Sequence, residues 1–214
     1  MSNNLKMIEK KIKAYSKRTK TLTFTRGTLI SFLLTGGIGI VSQNAVARDL
    51  RTREANNIVI QNENGLNKSL SENGTDVINI VNPNSNGLSH NKYNEFNVGE
   101  NNGVILNNSK VDGNSVLGGK VTANTNLTNN AKVILNEVKG NNASNLNGGI
   151  EVFGAKSDLI IANENGINVN GANFINTGAL NLSTGQVNLE GGNLVLDTSK
   201  SLNSSLNIGE KGVT

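Results

Sequence analysis

Val104-Ile105-Leu106-Asn107 returns unchanged as Val133-Ile134-Leu135-Asn136, 29 positions later, and Leu159-Ile160-Ile161-Ala162-Asn163 follows 26 positions after that. Each run has the length and β-branched content of a buried strand and is bounded by Asn, Gly and Ser. Ile58-Val59-Ile60 and Val77-Ile78-Asn79-Ile80-Val81 precede them in the same style. From Ala172 the aliphatic residues continue as Phe174, Ile175, Leu180, Leu182, Val187, Leu189, Leu194, Val195, Leu196, Leu202, Leu206 and Ile208, set between Gly/Asn/Ser turns. No window beyond residue 47 carries a 3.6-residue apolar period, so the class is all-β. A unit that recurs every ~20–30 residues is the signature of a solenoid and predicts a parallel β-helix of about seven or eight coils, ~35 Å long. An antiparallel sandwich also has many short strands, but it leaves the repeated triplet and its asparagine unexplained.

Asparagine is the compositional anomaly, at roughly forty of 214 residues against one Pro and no Cys or Trp. Stacked coils give it a use: equivalent turn positions lie ~4.8 Å apart, so asparagine amides can hydrogen-bond along the stack, and asparagine tolerates the left-handed conformation of tight corners. The net charge of +4 misleads as to partners. Residues 1–47 hold eight Lys/Arg and one acidic residue, which leaves 12 basic and 15 acidic residues, a net of −3, for the remainder. That balance offers no footprint for nucleic acid. Absence of Cys excludes disulfides and thiolate zinc sites.

Residues 1–47 read as an extended, helical signal peptide. Lys6, Lys10, Lys11, Lys13, Lys17, Arg18, Lys20 and Arg26 precede an apolar stretch from Leu29 to Val41, and Ala45-Val46-Ala47 supplies the small residues of a cleavage site at Ala45 and Ala47. About thirteen apolar residues are too few for a membrane-spanning helix, which needs ~20. Leu5, Ile8, Ile12 and Tyr15 recur at helical spacing opposite the lysines, the pattern of a helix lying on an anionic membrane. An ordinary leader with a long basic tail is the plainer reading of the same residues.

Three segments interrupt the strand pattern. The first runs from Asn82 to Val98 and includes Gly87, Ser89, His90, Asn91, Tyr93 and Phe96; the second is Asn124-Thr125-Asn126-Leu127; the third is Ala162-Asn163-Glu164-Asn165-Gly166-Ile167. In this order they resemble the amino-terminal secretion domain of two-partner secretion exoproteins, also called the filamentous haemagglutinin-type or haemagglutination activity domain, over residues 56–190. That family typically reads N-P-N-L and N-P-N-G-I at the second and third segments. Here Asn124, Asn126, Leu127, Asn163, Asn165, Gly166 and Ile167 match, while Thr125 and Glu164 stand where the family has proline, and Val169 and Ala172 where many members carry cysteines.

The resemblance implies a right-handed parallel β-helix over residues 48–214, with an N-terminal cap and short extra-helical strands. It further implies export across the inner membrane, recognition by the periplasmic modules of a dedicated outer-membrane barrel transporter, and display at or release from the surface of a Gram-negative-type bacterium. The exported whole would be an adhesin, haemolysin or contact-dependent toxin, meeting host or neighbouring cells through parts beyond this chain. No cap closes the pattern at Lys211-Gly212-Val213-Thr214, which predicts a fragment or truncated frame of a longer protein.

No catalytic residue, cofactor or metal is implied. His90, the only histidine, has no carboxylate or thiol partner recognisable in its neighbourhood, and Glu137, Glu151, Asp158 and Glu164 are scattered, as solvated turn charges would be. The rival function is an extracellular polysaccharide lyase or hydrolase, because that chemistry also occurs on parallel β-helices and needs clustered carboxylates or bases in a groove. A self-contained adhesive rod is a second rival. By local chemistry alone, the asparagine segments are also ordinary β-turns.

Overall fold

The computed structural model describes residues 53–197, 206–211 and 213. The leader and its cleavage residues Ala45 and Ala47 lie outside the described residues. Every described element is a strand. Two antiparallel strands, β1 (Asn57–Ile60) and β2 (Asn67–Leu70), come first; four coils of parallel strands follow. The first coil holds β3 (Asp76–Asn79) and β4 (Leu88–Asn97). The second holds β5 (Gly103–Asn108), a hairpin of β6 (Gly113–Ser115) and β7 (Gly119–Val121), then β8 (Val133–Val138) and β9 (Ser144–Leu146). The third holds β10 (Gly149–Gly154), β11 (Ser157–Asn163) and β12 (Ile167–Val169). The fourth holds β13 (Asn173–Ile175), β14 (Thr177–Ser183), a second hairpin of β15 (Gln186–Glu190) and β16 (Asn193–Asp197), and β17 (Leu206–Ile208).

Stacking produces three sheets, one per side of the coil. The first has the order β1-β4-β8-β11-β14, the second β13-β10-β5-β3-β2, and the third β17-β12-β9. All coil-to-coil pairs are parallel, while β1 on β4 and β2 on β3 are antiparallel and end the stack on that side. An antiparallel strand laid along the first coil closes a parallel edge that would otherwise invite pairing with another chain. Tyr93, Phe96, Leu106, Ile134, Leu146, Ile150, Leu159, Ile161 and Ile167 are among the residues that fill the interior, drawn from all three sides. The rings of Tyr93 and Phe96 meet edge to face at 4.9 Å.

The structure corrects the spacing argument. Val104 pairs with Asp76 and Ile150 in the second sheet, whereas Val133 pairs with Leu88 and Asp158 in the first. The 29-residue repeat therefore matches two sides of one coil. The third run does stack on the second, but at 25 residues: Asp158 lies on Val133 and Leu159 on Ile134, so the 26-residue match of Leu159 with Val133 is one residue out of register and exchanges inward for outward positions. The described residues form four coils, because β6–β7 and β15–β16 leave the stack as antiparallel hairpins and consume chain that uniform coils would have used. The aliphatic residues of 187–196 belong to the second hairpin.

Asparagine ladders exist, but on strands. Asn168 Nδ2 donates to Asn145 Oδ1 at 3.0 Å, Asn207 Nδ2 to Asn168 Oδ1 at 2.8 Å, and Asn97 Oδ1 accepts both the backbone N–H of Asn145 at 2.8 Å and its Nδ2 at 3.4 Å. On the second sheet Asn107 Nδ2 donates to Asn79 Oδ1 and Asn79 Nδ2 to Asn67 Oδ1, both at 2.8 Å. At the corners asparagine instead bonds backbone: Asn108 Nδ2 reaches the carbonyls of Ala131 and Ala155, each at 3.0 Å. Asn64, Asn101 and Asn176 take the left-handed conformation.

Leu106 is fully buried at the centre of the second sheet. Leu106→Ala is expected to cost about 2–5 kcal/mol through lost burial and an unfilled cavity, read as a lower denaturant midpoint at unchanged m-value.

Candidate functional site

The three segments contain one local construction used three times. In each, an asparagine side chain accepts the backbone N–H two residues on, and its carbonyl accepts the N–H three residues on. For Asn84 the acceptor distances are 3.0 Å from Asn86 and 2.9 Å from Gly87; for Asn124, 3.0 Å from Asn126 and 3.2 Å from Leu127; for Asn163, 2.9 Å from Asn165 and 3.1 Å from Gly166. This is a β-turn reinforced by an Asx bond, and it explains the Asn-x-Asn spacing. Asn84 Oδ1 also accepts the Leu88 N–H at 3.0 Å. Gly87 sits at φ +86°, and a Cβ there would lie 2.9 Å from the Lys132 side chain.

The second and third turns tie coil to coil. Asn124 Nδ2 donates to the carbonyls of Ile80 and Asn107, both at 2.9 Å, and Asn126 Nδ2 to Gly65 O at 2.8 Å. Leu127 closes this turn into the interior. Asn163 Nδ2 donates to Asn142 O and Ser144 Oγ at 3.0 Å, and Asn165 Nδ2 to Gly140 O at 2.7 Å, while Ile167 enters the core. Asn124 and Asn163 are both buried.

Of the first segment, Asn82 is exposed and accepts both the N–H and the hydroxyl of Thr128, at 2.8 and 3.0 Å, which joins the first turn to the second. Ser89 and Asn91 point inward. Asn91 Oδ1 accepts the Val81 N–H at 2.9 Å, Asn91 Nδ2 donates to Leu135 O at 3.3 Å, and the Ser89 hydroxyl donates to Val81 O at 2.8 Å. Tyr93 and Phe96 are fully buried; burial pushes the Tyr93 phenol well above its ordinary range, and its hydroxyl donates to Asn136 Oδ1 at 3.1 Å. These two aromatics hold up the fold and offer a partner no surface.

His90 faces outward, and here the sequence reading needs correction. His90 Nε2 lies 2.7 Å from Glu137 Oε2, Lys139 Nζ lies 3.1 Å from Glu137 Oε1, and Glu164 is 3.8 Å from Lys139. His90 therefore has a carboxylate partner 47 residues away, supplied by the neighbouring coil. This row links the first segment to the third, which lies at a different corner from the second. Beside it a recess of about 280 Å³ is lined by Val138, Lys139, Gly140, Asn141, Glu164 and Asn165. Nor are Glu137 and Glu151 solvated turn charges, since both are buried. Glu151 accepts the Ser115 hydroxyl at 2.6 Å and the N–H groups of Val116 and Leu117 at 2.9 Å, which anchors the first hairpin. Burial alone would raise the Glu137 carboxyl, but the hydrogen bonds and charges of His90 and Lys139 hold it below its ordinary value. Among the described residues no group of three or more His, Asp or Glu is placed to hold a metal. Sequence reasoning passed over Asn84 and Asn86 as members of the first turn, although the Asn-x-Asn spacing was the signal for them.

Comparison with known proteins places this geometry. The family model of the TPS secretion domain matches residues 55–214. Filamentous hemagglutinin of Bordetella pertussis is 48% identical over 124 residues, 58% of this chain and 3% of that protein. A hemolysin of Serratia marcescens is 50% identical over 115 residues, 53% of this chain and 7% of that protein. The 16S rRNA endonuclease CdiA of Enterobacter cloacae is 46% identical over 145 residues, 66% of this chain and 4% of that protein. The crystal structure of the filamentous hemagglutinin secretion domain superposes with a TM-score of 0.67 at 41% identity, covering 73% of this chain and 51% of that one. The chain thus spans only a few per cent of the length of these full-length relatives.

Among the described residues no hydrogen bond engages the N–H of Thr125 or Glu164, and each occupies the second turn position, where proline is at ease. Thr125→Pro and Glu164→Pro are each expected to raise stability by about 0.4–1 kcal/mol, seen as a higher melting temperature. The lowered Glu137 value contributes stability that is present above the unfolded carboxylate value, ~4.3, and is lost as pH falls through the folded value. Urea unfolding between pH 7 and 3 is expected to show a shallower acid-side loss in Glu137→Gln than in the natural chain.

Proposed function

We propose, from the premise that this chain belongs to the TPS secretion domain family, that its three asparagine turns are the elements through which it commits a larger exoprotein to export. The domain is the secretion-directing part of such a protein, and the family implies a cognate outer-membrane transporter and a secreted or surface destination. The observation that carries the reading is what the relatives share. A hemagglutinin, a hemolysin and an rRNA endonuclease differ in what they are named for, yet each matches this chain over 115–145 residues at 46–50% identity. A segment common to such different proteins serves what they have in common, which is leaving the cell. Activity of the whole, as adhesin, haemolysin or toxin, belongs to residues outside this match, and residues 48–214 are proposed to be without catalysis of their own.

The finer route is also our proposal. Residues 1–47 direct passage across the inner membrane as an extended signal peptide cleaved after Ala47. Periplasmic modules of the transporter then engage the chain before its coils have stacked, by adding an extended segment to a sheet edge. Coil-to-coil contacts are non-local and form slowly, which keeps the chain threadable; stacking outside then opposes its return. Asn82, Gly87, His90, Asn124, Asn126, Asn163, Asn165 and Gly166 are the positions proposed to support recognition.

The test is release into the medium from cells that carry the cognate transporter. Asn124→Ala with Asn126→Ala is expected to cut release at least ~10-fold, as deletion of Asn124 through Leu127 should. Loss of the Asn124 amide orphans two carbonyls at about 1–3 kcal/mol, so the control is Leu106→Ala, destabilised to a similar degree with all three turns intact. Recognition through the turns predicts near-normal release of that control; equal loss in both, or undiminished release of the turn variant, contradicts it.

A further inference from the structure

Solvent-facing positions on the first sheet are not all polar. Leu88 on β4, Val133 and Leu135 on β8, and Ile160 and Ala162 on β11 form an aliphatic stripe on the outer side of the first three coils, separate from the interior core. Leu135 is nevertheless 0% exposed and Ala162 1%. What covers them is the β15–β16 hairpin, whose Val187 and Leu194 pack on the stripe. The hairpin leaves after β14 of the fourth coil and turns on Gly191-Gly192, both at positive φ (57° and 81°). That two-residue loop matches the twist of a hairpin and lets it form locally before it docks. Its tip reaches back to the first coil: Gly192 O accepts from Asn84 Nδ2 at 3.1 Å and Asn86 Nδ2 at 3.4 Å, and Asn86 Nδ2 also lies 3.2 Å from Asn193 Oδ1.

These contacts join residues 106 to 108 positions apart, and the exposed Lys211–Glu100 ion pair also bridges distant coils, whereas the parallel pairs of a solenoid hold each coil only through its neighbours. We propose that the β15–β16 hairpin is a clasp: it closes only once four coils have stacked, and it then locks the first three coils against unfolding from their N-terminal end. Contacts made last are absent from the folding transition state, so they slow unfolding and leave the folding rate nearly untouched. The clasp thereby slows the unfolding of a finished stack, with or without a transporter.

The test uses the full chain. Val187→Asp with Leu194→Asp detaches the hairpin and is expected to raise the unfolding rate in denaturant ~10-fold or more, with the refolding rate changed less than ~2-fold. Amide protection should then fall in β4 and β8 as well as in the hairpin. Asn86→Cys with Asn193→Cys, in a chain without native cysteine, gives the converse: once oxidised it should unfold more slowly, and reductant should reverse the effect. The proposal is overturned by an unchanged unfolding rate in both variants, or by loss of protection confined to residues 186–197. Should the aspartate variant fail to fold, Val187→Ala with Leu194→Ala takes its place, and an unfolding rate equal to that of the natural chain refutes the clasp.

Discussion

Everything in this fold depends on how the chain satisfies its backbone at the corners of the coils. Along the sides, parallel pairing takes care of N–H and C=O groups, but each corner interrupts that pairing while remaining packed against the next coil, and a buried orphan carbonyl costs as much as a lost hydrogen bond. Asparagine resolves the difficulty because one side chain both accepts and donates. Asn124 caps its own turn with Oδ1 and bonds two carbonyls of the adjoining strands with Nδ2. Asn163, one corner away and one coil on, likewise caps its own turn with Oδ1 and spends Nδ2 on the Asn142 carbonyl and the Ser144 hydroxyl. The abundance of asparagine is the consequence of repeating this solution, and the ladders on strand faces are a second use of the same side chain.

The turns therefore serve the fold and the proposed recognition together. Before coils stack, an Asn-x-Asn segment is an exposed turn with unsatisfied amide groups; after stacking, those groups are spent on neighbouring backbone. A partner that reads the turns would read the unstacked state, and the chain would hide them by folding. Asn84 is the exception, since its Nδ2 bonds the hairpin tip and its turn stays at the surface. The outward row of His90, Glu137, Lys139 and Glu164 crosses the same side of the stack and joins the first segment to the third.

Much of this was legible in the residues, and what was not has physical causes. The cap and the extra-helical strands were implied only by the family resemblance, whereas strand class and the three segments could be read because aliphatic runs and Asn/Gly turns are local signals. Stacking order could not. Val104-Ile105-Leu106 and Val133-Ile134-Leu135 are alike because both strands are covered on both faces, but in opposite phase: Val104 and Leu106 enter the interior from one side and Ile134 from another, while Ile105, Val133 and Leu135 belong to smaller clusters apart from it, and the hairpin between the two runs hides the true interval from Val104 to Ile150. That the run at 159–163 follows the run at 133–136 on the stack was legible because no excursion intervenes, but the 26-residue match missed the true register, Leu159 on Ile134, by one residue. His90 and Glu137 lie 47 residues apart and meet only through the register of β4 on β8, so no inspection of the neighbourhood of His90 would have found its partner.

The central claim is that the coils stack in parallel with β8 between β4 and β11, and β5 between β3 and β10. Proton–proton contacts in solution by NMR test it most directly. The account predicts parallel-type cross-strand contacts of Ile134 with Leu159 and of Leu106 with Val152. Antiparallel α-proton contacts between these strands, or direct backbone contacts between residues 104–106 and 133–135, would contradict it.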